Sequence, residues 1–399
     1  MNDMASVVKN HRLYAGFEAI KNRLAEHQFV CWIAGGAVRD FLLGREVSEF
    51  DLVTDASTEI LKILFPKAVL VGESFGVVKV PAGPDGELYD LATFREESDY
   101  VDGRRPSKVS SSTPVFDAQR RDLTVNALYW DESMGVVRDY VGGQFELKAG
   151  VLKTVGSPVT RFEEDYLRVL RLARFSAQLG FGIEPATEQA ARARISSLAR
   201  ISGERIWSEL QKIEKHHVWP AALRSSLLVS ILESVLGTTV EVARLRELKN
   251  GNMLSTEAVL VLTVPELDLS PVLRGRLKVP KNTLENYQKL KLLLTQVGQN
   301  PLFEIFYDLE KSEKLREAWN QLVDLGLIDE KLDEELQKVL KTHPLSIISA
   351  SEIMNFVPAK RIGSVLRAVR LKQWSEEISS LDQALDYVKK NYASKSEKP

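Results

Sequence analysis

The sequence predicts an α+β protein, with a mixed α/β domain over residues 1–150 and an all-α remainder. Three observations lead there. Short β-rich runs alternate with turn signals and helical patterns up to Gly150. From Arg161 onward nearly every segment carries Leu, Ile and Ala at three- and four-residue spacing, the mark of amphipathic helices. A length of 399 residues, 44% of them hydrophobic and 27% charged, suits two or three packed subdomains of a globular protein.

Taken in order, the β-rich runs are FVCWIA (29–34), DLVT (51–54), AVLV (68–71), VVKV (77–80), LYDLATF (88–94) and VVRDYV (136–141). Helical breaks are expected at Gly180 to Pro185, Trp219–Pro220, Pro265, Pro280, Pro301, Pro344 and Pro358, because proline cannot continue a helix and glycine favours its end. The tail ASKSEKP has nothing to bury. The chain contains no internal repeat.

Composition excludes several classes. A single cysteine, Cys31, leaves no disulfide partner within the chain, and the N-terminal segment has no apolar stretch of the secretory kind, so a cytoplasmic protein is expected. The longest apolar run, Ala258 to Val264, stops at Pro265 and is too short for a bilayer, so no membrane role is expected. A net charge of -2 argues against indiscriminate nucleic-acid binding. RNA contact would use local patches: Arg104, Arg105 and Lys108; Arg120 and Arg121; Arg168, Arg171 and Arg174; or Lys360, Arg361, Arg367, Arg370 and Lys372. Each patch alone reads first as a solvated helix face or loop.

The segment FVCWIAGGAVRDFLLG sets an apolar strand before Gly35 and Gly36, then a helix from about Ala37. Such a turn lets backbone N–H groups and a helix N-terminus meet a phosphate, with Arg39 within reach; alone it equally describes a tight turn. In SEFDLVTDAS, Glu49 and Asp51 stand two apart on an expected strand, which puts both carboxylates on one face. By itself this is an exposed acidic strand edge. Joined to the glycine turn, it suits Mg²⁺ bridging a triphosphate, with Asp90 as a candidate third carboxylate. No Gly-x-x-x-x-Gly-Lys-Ser/Thr loop is present. None of the five histidines precedes an Asp, so a His-Asp phosphohydrolase is not indicated, and no zinc spacing appears. His216 and His217 read as structural.

At these joined features the sequence resembles the class II nucleotidyltransferases, the family of bacterial CCA-adding enzymes and poly(A) polymerases. GGAVRDFLLG and EFDLVTDA resemble the family's opening signature. FGVVKV with LYDLATFR, DGRRPSKV, RRDLTVNALYWD, DYVGGQFELKAGVLKTVGSPVTRFEEDYLRVLRLARFSAQLGF and ISGERIWSEL follow in the family's order, over residues 29 to 213. The resemblance implies a mixed five-stranded nucleotidyltransferase head over residues 1–150. It further implies a helical neck that recognises the nucleotide base over 151–215, and a helical body and tail that bind RNA over 216–399. By position it implies that Gly35, Gly36 and Arg39 hold the triphosphate, and that Glu49 and Asp51 hold the metal. Arg121, Asp122 and Asn126 would contact ribose and phosphates. Asp165 and Arg168 would face the base, supported by Arg171 and Arg174.

Chemistry supports the last pair. Asp165 and Arg168 are three apart on an expected helix and so are neighbours. Cytosine and adenine both present an amino donor beside an unprotonated ring nitrogen, which a carboxylate and a guanidinium match. Uracil and guanine invert both contacts, at about 1 to 3 kcal/mol each. One departure stands out: Glu49 occupies a position where the family usually has Asp, which moves the carboxylate outward by about 1.5 Å. The segment FREESDYVDGRRPSKVSSSTP resembles the flexible loop of CCA-adding and A-adding enzymes. Tyr166, where poly(A) polymerases commonly have Pro, favours the tRNA enzymes. The expected activity is addition of CCA to tRNA 3′ ends from CTP and ATP, with poly(A) polymerase or a weakly catalytic RNA-binding homologue as alternatives.

Overall fold

The computed structural model describes residues 4–71, 77–100, 106–246, 254–296, 302–311, 313–324, 326, 328, 330–342 and 346–392. The chain packs as two compact units, Met1–Thr238 and Thr239–Pro399.

The first unit is built on one mixed sheet. Its elements begin with α1 (Met4–Lys9), α2 (Tyr14–Ala25), β1 (Cys31–Ala34), α3 (Gly36–Leu42), β2 (Asp51–Thr54), α4 (Thr58–Leu64), β3 (Val69–Val71), β4 (Val77–Ala82) and β5 (Glu87–Thr93). There follow β6 (Arg95–Tyr100), β7 (Pro106–Ser111), α5 (Pro114–Gln119), β8 (Leu128–Asp131), β9 (Val136–Asp139) and α6 (Gly143–Ala149). The strand order is β3-β4-β5-β2-β1-β8-β9. The sheet therefore has seven strands where the family resemblance implies five. Six of them coincide with the β-rich runs; the seventh, β8, is buried along its whole length. A strand covered on both faces has no polar alternation to reveal it.

Register fixes what faces what. β2 pairs in parallel with β5, bringing Asp51 opposite Asp90, and antiparallel with β1, bringing Asp51 opposite Ala34. β4 continues the row with Lys79 opposite Asp90, and β8 continues it with Tyr129 opposite Ala34. Directly paired residues share a face, so Lys79, Asp90, Asp51 and Tyr129 lie on one side of the sheet. On the other side α2 packs through its i, i+3, i+7 stripe of Phe17, Ile20 and Leu24, all buried. Gly16 allows the close approach, since a Cβ there would meet the Tyr89 hydroxyl at 2.3 Å.

Within the segment that resembles the family's flexible loop, β6 and β7 pair antiparallel from Arg95↔Ser111 to Tyr100↔Pro106. Its run of polar residues offers no apolar alternation from which a strand is read. Asp102 to Arg105 lie outside the described residues.

Helices complete the unit: α7 (Pro158–Glu164), α8 (Leu167–Leu179), α9 (Pro185–Arg192), α10 (Gly203–Lys215), α11 (Trp219–Arg224) and α12 (Ser226–Leu236). The stretch expected to be all-α also holds two two-residue strands, β10 (Val151–Leu152) and β11 (Gly182–Ile183), paired in parallel. Local signals set the ends. Gly180 in the left-handed conformation closes α8, and Glu184 with Pro185 opens α9 by accepting from Thr187 N.

Among its described residues the second unit is helical, from α13 (Ala243–Arg246) and α14 (Thr256–Thr263) through α15 (Lys281–Gln296), α16 (Leu302–Lys311), α17 (Glu313–Asp324) and α18 (Glu330–Thr342). It ends with α19 (Ala350–Ile353), α20 (Ile362–Trp374) and α21 (Leu381–Tyr392). Val365, Val369, Ile378, Ala384 and Val388 form part of one core there. Arg370 does not belong to a surface basic patch. It is 1% exposed and engages Glu310 and Gln373 instead. Among the described residues no helix is long and apolar enough to cross a membrane.

Candidate active site

A cleft of 1270 Å³ opens in the first unit, and all thirteen residues expected from sequence to hold the nucleotide or the metal line it: Gly35, Gly36, Arg39, Glu49, Asp51, Asp90, Arg121, Asp122, Asn126, Asp165, Arg168, Arg171 and Arg174.

One wall is the end of the central sheet. β1 stops where Gly35 turns away at φ +69°, and a Cβ there would lie 2.9 Å from an Arg121 nitrogen. Only glycine suits both the conformation and the space. That turn also ends the β1–β2 ladder at Ala34↔Asp51. Glu49 consequently precedes β2 and is not on the strand as expected, although it still lines the cleft. No capping side chain bonds the start of α3, whose first residues Gly36 and Ala37 line the cleft.

The acids of the cleft are partnered unequally. Asp40 is paired with Arg39, Asp122 with Arg171, Asp165 with Arg205, and Glu209 with Arg174. Among the described residues neither Glu49 nor Asp51 has a hydrogen bond or ion pair to another side chain. Asp51 is pushed up to about 6 by its partial burial and by the neighbouring charge of Glu49. Asp90 stands beside Asp51, but its carboxylate is 2.5 Å from Lys79 Nζ. Among the described residues no group of three or more acidic, histidine or cysteine ligands is gathered.

The second wall is a network of arginines. Asp117, wholly buried and not anticipated from sequence, accepts from Arg120 Nε (2.9 Å), Arg121 Nη2 (3.1 Å) and the Tyr129 hydroxyl (2.7 Å). Burial works against its charge, yet Arg121, Arg120 and the Tyr129 hydroxyl outweigh it and hold the carboxyl at about 2. Its spacings to Arg120 and Arg121 are helical ones and were open to recognition. Asp122 accepts from Arg171 at 2.8 and 2.6 Å, from Leu123 N at 2.8 Å and from Asn126 Nδ2 at 3.3 Å. Arg171 overcomes the effect of burial and keeps the Asp122 carboxyl well below the usual carboxylate range. Arg39 donates to Asn126 Oδ1 at 2.5 Å and to both oxygens of Asp40. The Arg39, Arg171 and Arg174 guanidiniums lie 5.3, 5.3 and 4.0 Å from the ring centre of Phe175, another cleft residue that sequence reasoning passed over.

Asp165 and Arg168 are brought together, but not as an i,i+3 pair within one helix. Asp165 caps the end of α7 in extended backbone, and α8 begins two residues later. Its Oδ1 accepts from Leu167 N at 3.1 Å, so the carboxylate serves as a cap and breaks the helix. Arg205 grips it at 3.2 and 2.6 Å. Arg168 donates to Glu164 at 2.5 Å and to the Arg161 and Arg120 carbonyls at 3.0 Å each. Those three bonds leave two of its five N–H donors. Arg205 and Glu164 are thus further members of the site; Glu164 was signalled by its i,i+4 spacing to Arg168, Arg205 by no local pattern. His216, expected to be structural, is exposed on the cleft wall.

Residues 31–153 match the family described as Poly A polymerase head domain, and residues 180–222 match that described as Probable RNA and SrmB-binding site of polymerase A. A protein of Bacillus pumilus named CCA-adding enzyme is 40% identical over 219 residues, covering 55% of this chain and 54% of its own. At that level of identity the chain spans about half the length of the curated relatives it matches. One of Staphylococcus haemolyticus, also named CCA-adding enzyme, is 29% identical over 385 residues and 92% of both chains. Among solved structures, the CCA-adding enzyme of Bacillus stearothermophilus in complex with CTP superposes at TM-score 0.70 with 22% identity over 98% of both chains. That of Thermotoga maritima complexed with tRNA-CCA superposes at 0.70 with 21% identity, over 96% of this chain and 98% of its own. At these identities the two structures support the fold.

Proposed function

We propose that this chain, which belongs to the class II nucleotidyltransferase family, adds C and A from CTP and ATP to tRNA 3′ ends without a template. The observation that carries the reading is the unequal treatment of the cleft's acids: four are matched by arginines, while Glu49 and Asp51 stand together unmatched. Enzymes of this family generally use divalent metals, and this pair suits a hard cation that takes only a few protein oxygens and completes its shell with water and phosphate. The reading assigns Mg²⁺ to Glu49 and Asp51. Bound there, it would make the RNA 3′-hydroxyl more acidic and offset charge on the departing pyrophosphate.

The remaining roles belong to the protein. Gly35, Gly36 and Arg39 hold the triphosphate at the α3 N-terminus, and Arg121 approaches the same anion. Asp122 and Asn126 act by fixing Arg171 and Arg39, to which their side chains are already bound. Asp165 accepts from the base amino group with the lone pairs that Arg205 leaves, and Arg168 donates to the ring nitrogen. Arg174, buried against Glu209, supports that wall. Asp90 stands beside the catalytic pair and is tied to Lys79. In this reading residues 1–150 form the catalytic head, 151–215 the base-recognising neck and 216–399 the RNA-binding body and tail. A cytoplasmic location follows from tRNA as substrate.

Poly(A) polymerase is the second reading, favoured by the description of the matched head domain. Incubating the pure protein with tRNA lacking its CCA end, Mg²⁺ and each nucleotide separately separates the two. CTP alone should extend by C, and ATP should add one A only after CC. Long tails from ATP alone would establish the polymerase, and no incorporation from any nucleotide would overturn both readings in favour of the RNA-binding homologue with weakened catalysis.

A further inference from the structure

Residues 45–50, which lead into β2 and carry Glu49, are held from outside by the turn between α1 and α2. His11 Nε2 donates to the Val47 carbonyl at 2.9 Å, and Arg12 Nη2 donates to the Ser48 carbonyl at 2.9 Å. Leu13 N donates to His11 Nδ1 at 3.2 Å, which leaves the imidazole proton on Nε2, where Val47 accepts it. The His11 ring stacks on Phe50, with centroids 4.9 Å apart and planes 27° apart, and meets Phe41 edge-on at 5.6 Å. Phe50 is itself 2% exposed, wedged among Phe17, Phe41 and His11. Backbone on both sides of Glu49 is therefore clamped while its own side chain is left for the cleft. The clamp lies before residue 31, where the match to the head-domain family begins.

We infer that His11 and Arg12 are positioning residues that set where the Glu49 carboxylate stands in the cleft, and so tune the affinity of the divalent-metal site. The anchored carbonyls of Val47 and Ser48 and the buried ring of Phe50 flank Glu49 directly, so they set the backbone position from which its carboxylate reaches the cleft. The inference rests on the reading of Glu49 as a metal ligand.

The test measures Mn²⁺ binding by the intact, folded protein from the loss of the free-ion EPR signal, with CTP binding in EDTA measured alongside. His11→Ala and Arg12→Ala should each weaken Mn²⁺ binding about three- to tenfold, the effect of losing roughly one hydrogen bond. CTP affinity without metal should change less than twofold, and Arg12→Lys, which keeps a donor for Ser48, should restore most of the Mn²⁺ affinity. If His11→Ala does not fold, Arg12→Ala decides, because its side chain is exposed and makes a single bond to the segment. Glu49→Gln is the reference. If it weakens Mn²⁺ binding while His11→Ala and Arg12→Ala leave it unchanged, the positioning role is overturned alone. If Glu49→Gln leaves Mn²⁺ binding unchanged, the metal assignment falls and the positioning role with it.

Discussion

Asp117→Asn isolates the charge at the centre of the arginine network while keeping size and shape. The wild-type carboxylate is wholly buried and is bound by Arg120, Arg121 and Tyr129. Its pKa of about 2, against an ordinary 3.8, corresponds to about 2.5 kcal/mol of preference for the charged form. Breaking a buried pair by removing one partner costs about 3 to 5 kcal/mol; Asn keeps one acceptor oxygen, so a loss of roughly 2 to 4 kcal/mol is expected. For a unit of 238 residues that lowers the melting midpoint by roughly 5 to 15 °C. The assay is thermal unfolding followed by circular dichroism from pH 7 down to pH 3. The sign follows from linkage: the folded pKa lies below the unfolded one, so the stabilisation is present above about pH 4 and fades as pH falls toward 2. The gap between wild type and variant should accordingly narrow on acidification. A midpoint unchanged within 1 °C at pH 7, or a gap that does not narrow by pH 3, would refute the reasoning.

Asp51→Asn should abolish incorporation yet raise the melting midpoint of the metal-free protein at pH 7. Its folded pKa, about 6, lies above the unfolded value, so ionisation opposes folding increasingly between about pH 4 and 6; a lower midpoint in EDTA contradicts this. Glu49→Gln should cut single-turnover incorporation of CTP steeply while Glu49→Asp changes it little, and normal turnover in Glu49→Gln would remove Glu49 from the metal. Arg168→Ala should relax discrimination against UTP and GTP by about 5- to 150-fold in kcat/KM ratios, the worth of about 1 to 3 kcal/mol. An equal loss for all four nucleotides would show that its bonds to Glu164 and the Arg161 and Arg120 carbonyls are structural only.

Much of the cleft was legible because its residues sit in short, locally patterned segments. The glycine turn, the acidic pair and the arginines of α8 each announce themselves within ten residues, and all line one cavity. What was not legible depended on distance or on burial. β8 lacks alternation because both its faces are covered, and β6 with β7 lacks apolar residues to alternate. Glu209 meets Arg174 across 35 positions, and Arg205 meets Asp165 across 40, separations that no local spacing rule spans. Asp165 was misplaced for a different reason. The helical pattern runs through it, yet an Asp side chain competes for backbone N–H groups and splits the run into α7 and α8.

The pairing of Arg39, Arg171 and Arg174 with Asp40, Asp122 and Glu209 around Phe175 also bears on ionic strength. Each of these cations carries its counter-charge within the protein, so few salt ions are displaced when a triphosphate arrives, and screening acts weakly on partly buried pairs. Among the described residues exposed Lys360 and Arg361 on the second unit have no such ion pair, and under the proposed function the contacts they would make with RNA phosphates should fall away steeply as salt rises. For the proposed substrates, raising the salt concentration should therefore release RNA well before the nucleotide.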